Sequence, residues 1–439
     1  MRAVLRRLRQ QRADRAKRGR EPRLVHAVSP ARRTTRTKRS IGAKPQARSP
    51  AQLAADYATV ALVMQGGGAL GSYQCGVYEG LHEGGLRPNW FAGTSIGAIN
   101  AAILAGNAPG QRVARLREFW ETICEPGGGA AIIGAGVRAM LEWMPPSHAL
   151  DAWANSLGAF GALAFGQQGF FKVRPQSPLL FSDGSVEATS FYDTAPLKST
   201  LERLVDFDRI NAGEVRLSVG ATQVRTGNFR YFDSAHEVIR AEHIMASGAL
   251  PPAFPAIEID GEKYWDGGLV SNTPLDHVLA DTPRRDSLVL QVDLWSARGQ
   301  LPRTLMDVLE RQKDIQYSSR TRLETDHVAH LQQLRHAIRR LLEAVPSTHI
   351  DAQLRQTLLP WVGIHVFNIV HLIYQAKPYE AQFKDYAFGL GTMREHWAAG
   401  RGDMERTLEH ADFFVKPSHD VGVATHDVHR LVAAGRTAP

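Results

Sequence analysis

The apolar positions change their spacing several times between residues 57 and 297, and each change marks an element. Thr59–Gln65 (TVALVMQ) is an unbroken β-branched and aliphatic run, which predicts a strand buried on both faces. Tyr73–Leu81 carries helical spacing straight after a run of glycines. Past the break at Pro88-Asn89, Trp90-Phe91-Ala92 predicts a short second strand, and Ala98–Leu104 a small-residue buried helix. Further strands are predicted at Val215–Val224, Phe229–Phe232, Ala256–Ile259, Lys263–Trp265 and Leu288–Leu294, with helices at Val113–Ile123 and Leu197–Leu204. Asp260-Gly261 fits the two-residue turn of a hairpin. Strands interleaved with helices predict an α/β fold: a three-layer sandwich around a mostly parallel sheet.

Two regions break this rhythm. Residues 126–182 are rich in Gly, Ala and aromatics (Trp143, Met144, Trp153, Phe160, Phe165, Phe170, Phe171) and read as an insertion, either packed on the core or forming a lid. After Trp295 the apolar stripes become helical. Pro302 opens one with Leu305, Val308, Leu309 and Ile315; others run through Leu331–Leu341, Val366–Tyr374 and Thr392–Trp397. The expected organisation is a basic tail over residues 1–56, an α/β domain over 57–297, and a mostly helical extension over 298–439.

Charge sharpens the division. The chain of 439 residues totals +8, but residues 1–50 hold 17 Lys/Arg against Asp14 and Glu21, a net of +15, leaving −7 over the rest. The high isoelectric point therefore belongs to the tail, and no nucleic-acid partner is expected. The tail lacks the apolar core of a secretory signal and reads as a solvated segment or as an electrostatic contact to anionic lipid. Two cysteines, Cys75 and Cys124, give no disulfide framework and fit a reducing compartment. No continuous apolar run predicts a membrane span, so the expected location is cytoplasmic, with peripheral contact at the inner face of the membrane.

The chemistry concentrates at three places. Gly93-Thr94-Ser95-Ile96-Gly97 has the G-x-S-x-G pattern between a strand and a helix, where a sharp turn exposes a serine hydroxyl. Gly66-x-Gly68-x-x-Gly71 has the spacing of a dinucleotide-binding turn, which leaves a nucleotide-binding protein as an alternative. A ribose-binding acid is missing at the expected distance, however, since the second strand ends at a serine and Glu79 and Glu83 come too early. Backbone amides of Gly67 and Gly68, with Gly66 adjacent and Ile96 joining them, suit an oxyanion better than a resting phosphate. No histidine stands in a convincing local setting as a base, and the clusters at His327/His330 and His426/His429 do not argue for a metal. Asp266, in Tyr264-Trp265-Asp266-Gly267-Gly268, follows the predicted hairpin on a rigid element.

In this order, Gln65–Gly71, Gly93–Gly97 and Asp266-Gly267-Gly268 resemble the patatin-like phospholipase family, as does Ala246–Pro255 (ASGALPPAFP). The resemblance covers about residues 57–297. It implies a lipid acyl hydrolase acting on phospholipid or lysophospholipid without a metal or cofactor, through a dyad of Ser95 as nucleophile and Asp266 as base. One departure is Leu70, where some members carry a basic residue. Residues 298–415, including Asp385-Tyr386-Ala387-Phe388, resemble an uncharacterised extension of some bacterial members. A non-catalytic lipid-surface protein is the remaining alternative.

Overall fold

The computed structural model describes residues 48–125, 165–319, 321–362, 365–376 and 384–429. The basic segment up to residue 47, and Trp143, Met144, Trp153 and Phe160 of the insertion, lie outside these. The first strand, β1 (Thr59–Met64), leads through a glycine turn into α1 (Gly71–Glu83). Next come β2 (Trp90–Thr94), α2 (Ile96–Ala105) and α3 (Arg112–Cys124). After the insertion follow α4 (Ala195–Leu204), β3 (Arg216–Gln223), β4 (Phe229–Asp233), α5 (Ala241–Ser247), β5 (Ile257–Ile259), β6 (Glu262–Asp266), α6 (Leu275–Ala280) and β7 (Ser287–Asp293). The C-terminal region supplies α7 (Leu305–Tyr317), α8 (Thr321–Ala344), β8 (Phe367–Ile373), α9 (Leu390–Leu408) and β9 (Val423–Asp427).

Nine of these strands form one sheet in the order β9-β8-β7-β1-β2-β3-β6-β5, with β4 also paired to β3. The six strands from β9 to β3 are mutually parallel, and the β3–β4, β3–β6 and β5–β6 pairs are antiparallel. This is the expected mostly parallel sheet, and both faces are covered. Val60, Leu62 and Met64 of β1 enter the larger apolar cluster with α1, α2, α3 and α9. Ala61 and Val63, on the opposite face, pack with Leu275, Val278 and Leu279 of α6.

The predicted hairpin is present: β5 and β6 are joined by Asp260 (φ 51°) and Gly261 (φ 84°), the left-handed pair that a tight two-residue turn requires. The C-terminal region is mostly helical, as expected, with one difference. Val366–Tyr374 was expected as a helical stripe, but its centre is strand β8, paired in register with β7 (Ile369 beside Val289). A strand buried on both faces is apolar throughout, so its periodicity does not separate it from a buried helix. The sheet thereby grows by two strands beyond β7.

Helix α9 docks on α1 through a seam of glycines. A Cβ on Gly76 would lie 1.9 Å from the Trp397 carbonyl oxygen, and one on Gly400 would lie 2.0 Å from that of Tyr73. The missing side chains let the two backbones approach. Tyr73 Oη then donates to Asp403 at 2.6 Å across the same contact.

Candidate active site

Sheet register brings two distant segments together. Thr94, the last residue of β2, pairs with Gly220 of β3, and Asp266, the last of β6, pairs with Ala221. The opposite edge of β3 carries β4, so β2 and β6 share one edge and end at adjacent positions along it. Ser95 and Asp266 therefore meet despite the long sequence gap: Ser95 Oγ donates to Asp266 Oδ2 at 2.6 Å.

Ser95 sits on a sharp elbow with φ 55° and ψ −123°, a conformation costing roughly 1–3 kcal/mol in a non-glycine residue. The flanking glycines make the elbow possible. A Cβ on Gly93 would come within 2.2 Å of the Gly97 carbonyl oxygen, and one on Gly97 within 2.3 Å of that of Met64. The Ser95 amide donates to Ser247 Oγ at 3.0 Å, and that hydroxyl donates to the Gly220 carbonyl at 2.6 Å. Ser247, in the ASGALPPAFP stretch, thus clamps the elbow to β3. From Ile96 the ten-residue α2 runs away from the site, directing the positive end of its dipole at the serine.

Asp266 is 2 % exposed. Its Oδ1 accepts from the Gly268 amide at 2.7 Å, and its own amide donates to the Ala249 carbonyl at 2.9 Å. Gly267 packs against the Gly220 carbonyl. Burial pushes the Asp266 carboxyl up to about 6, opposed by the hydrogen bonds from Ser95 and the Gly268 amide. A carboxylate titrating there accepts a proton more readily than an ordinary aspartate, yet is mostly ionised at neutral pH.

The glycine turn lies beside this pair, where a Cβ on Gly66 would be 3.0 Å from Ser95 Cβ. The structure corrects one expected donor. The Gly66 amide is engaged with the Asn272 carbonyl at 3.2 Å, and the Gly66 carbonyl accepts from Asn272 Nδ2 at 3.0 Å and Trp295 Nε1 at 2.8 Å. Gly66 is therefore a fixed anchor of the turn. The amides of Gly67, Gly68 and Ile96 donate no described hydrogen bond, and the three residues line the same cavity as Ser95. Gly68 has φ +54°, and Gly71 packs closely on Ile96.

From the sequence, two residues here had no role of their own: Gln65, held only as the first position of the glycine motif, and Asn272. Gln65, fully buried, donates to Thr273 Oγ1 and the Tyr317 carbonyl, both at 2.9 Å. Its Oε1 accepts from the amides of Leu294 (2.6 Å) and Trp295 (3.0 Å). It ties the glycine turn to β7 and α7. Asn272 carries no local signal at all; only the fold reveals it.

Ser95 and Asp266 open into a cavity of about 140 Å³ walled by Phe170, Phe171, Tyr192, Phe254, Tyr386 and Phe388. Phe170 and Phe171 come from the insertion and Tyr386 and Phe388 from the C-terminal region. Phe165 of the insertion is instead exposed. Among the described residues the cavity lining contains no histidine, and His327, His330, His426 and His429 stand apart from it. Chemically the arrangement offers a hydroxyl bonded to a basic carboxylate, unengaged amides and an apolar wall.

Comparison with known proteins gives this geometry a setting. A family model described as patatin-like phospholipase matches residues 62–279, and a second, described as patatin phospholipase, matches residues 315–420. Uncharacterised NTE family proteins of Mycobacterium bovis and Mycobacterium tuberculosis are 47% identical over 62 residues, which is 14% of this chain and 11% of theirs. Among solved structures, VipD from Legionella pneumophila is similar at a TM-score of 0.34 and 15% identity, covering 80% of this chain and 66% of VipD. The type III effector ExoU of Pseudomonas aeruginosa is similar at 0.28 and 14% identity, covering 81% and 53%.

Proposed function

This chain belongs to the patatin-like phospholipase family, and from that premise we propose that it is a serine acyl hydrolase cleaving carboxylic esters of phospholipid or lysophospholipid. The observation that carries the reading is the 2.6 Å hydrogen bond from Ser95 Oγ to a buried, proton-hungry Asp266 at the edge of an aromatic cavity.

Ser95 Oγ attacks the ester carbonyl carbon while its proton passes to Asp266. The carbonyl oxygen, now an oxyanion, takes hydrogen bonds from the amides of Gly67, Gly68 and Ile96, each worth roughly 3 kcal/mol. As the tetrahedral species collapses, Asp266 returns the proton to the departing alkoxide, leaving an acyl-serine. Water then attacks this ester, giving its proton to Asp266, and the fatty acid leaves as Ser95 regains its hydrogen. The acyl chain lies against Phe170, Phe171 and Phe254. Asn272, Gln65 and Trp295 hold the glycine turn in register throughout. The nucleotide alternative has no corresponding support, because Ser95 stands where a ribose-binding acid would.

The test is steady-state hydrolysis of a panel of phospholipids, lysophospholipids, triglycerides, acyl thioesters and aryl esters. Ser95→Ala and Asp266→Asn are expected to lose activity by about 10³-fold or more while keeping the wild-type circular dichroism and Tm. Full activity in either folded variant would remove the dyad.

A further inference from the structure

Among the described residues, the cavity lining carries two charged side chains besides Asp266: Lys313 and Asp385. Lys313, on α7, holds its Nζ 3.0 and 2.9 Å from the two carboxylate oxygens of Asp385 and 4.9 Å from the centre of the Tyr386 ring. The Asp385 carbonyl oxygen in turn abuts the glycine turn, 2.2 Å from where a Cβ on Gly68 would sit. The pair therefore stands beside the glycine turn, in the lining of a largely aromatic chamber.

An ion pair in such a place calls for a reason, since withdrawing two charges from water generally offsets what their attraction returns. Fastening the segment Lys384–Tyr386 is not that reason. The neighbouring Lys384, nearly buried, already ties it to Asp314 at 2.7 Å and Glu310 at 3.2 Å on the same helix α7. Lys313 differs from Lys384 in access: its side chain is 32 % exposed against 4 %. Nor is it background charge, for the chain beyond residue 50 is net acidic.

We propose that Lys313 forms an anion subsite that receives the phosphate diester of a lipid headgroup on the alcohol side of the scissile ester. This rests on the hydrolase reading and names the part of the substrate that the aromatic wall does not bind. Asp385 holds the ammonium at the cavity lining and yields part of its share when phosphate arrives, as an ammonium that exchanges its partners by rotation permits. An acyl chain among the aromatics and a phosphate at Lys313 would fix the ester between them, at Ser95.

The test compares a lysophospholipid with the monoacylglycerol bearing the same acyl chain, which differ by the phosphate headgroup. Wild-type enzyme is expected to favour the lysophospholipid in kcat/KM by about ten-fold or more, as a charge-assisted contact gives. Lys313→Met brings the ratio close to one through KM, Lys313→Arg restores most of it, and Asp385→Asn leaves it unchanged or raises it. A structural ion pair would lower the ratio in neither variant, or would damage both alike; either result overturns the subsite, as does a wild-type ratio near one. Displacement of a fluorescent fatty acid from Ser95→Ala protein by the same two lipids reads the preference without turnover. An enzyme that binds with this preference yet cleaves no ester would refute the hydrolase and keep the subsite.

Discussion

At the residue scale, the decisive feature is how burial tunes Asp266. Its carboxyl is lifted to about 6 by desolvation while one oxygen stays bonded to Ser95. A base must be ionised to accept a proton, so kcat/KM should fall as pH drops through about 6 and level off above it. A pH–rate profile on a soluble neutral ester checks this, and a flat profile between pH 5 and 7 would contradict it. Ser95 and the glycine motifs were legible as compact patterns tied to strand ends, and Asp266 through the family resemblance, since an Asp-Gly pair alone reads as a turn. Lys313 and Asn272 were not, since a lysine on a helix and an asparagine in a loop carry no pattern of their own. Only tertiary contact gives them a place. Gly66 shows the complementary limit: the spacing pointed to an amide donor, but spacing cannot tell which amides the fold has already engaged.

At the element scale, Ser95 and Asp266 owe their meeting to strand order. Antiparallel β6 takes over the edge of β3 where parallel β2 stops, so two strand ends face one another. The hairpin that delivers Asp266 was readable from Asp260-Gly261. The strand identity of Phe367–Ile373 was not, because complete burial removes the alternation that marks a strand. The docking of α9 on α1 makes its own prediction. Gly76→Ala would drive a Cβ to 1.9 Å from the Trp397 carbonyl, and overpacking of this kind costs about 1–3 kcal/mol. The urea midpoint should fall accordingly, whereas Gly110→Ala, with nothing within 4 Å, should stay within about 0.5 kcal/mol of wild type. Equal midpoints would mean that the helices part easily at this seam.

At the scale of the whole molecule, the C-terminal region is part of the site's architecture. It extends the sheet with β8 and β9, docks α9 on α1, and supplies Lys313, Tyr386 and Phe388 to the cavity wall. Composition alone presented this region as an appendage, because the contacts that join it are non-local: β8 pairs with β7 across 80 positions (Phe367 beside Ser287), and Tyr73 reaches Asp403 across 330. Among the described residues no helix is long and apolar enough to cross a membrane. The charge asymmetry suggests how a lipid surface could still be reached: residues 1–50 carry a net +15, and each basic residue near an anionic surface contributes about 1 kcal/mol. Removing residues 1–47 should weaken sedimentation with anionic vesicles at low salt and leave cleavage of a short soluble ester intact. Unchanged sedimentation would make the segment a spacer.

The most direct measurement is covalent labelling with a fluorophosphonate, followed by peptide mass spectrometry. The account predicts one adduct, on Ser95, formed more slowly in Asp266→Asn and absent in Ser95→Ala. An unlabelled wild-type protein, or an adduct at any other residue that persists in Ser95→Ala, would contradict it.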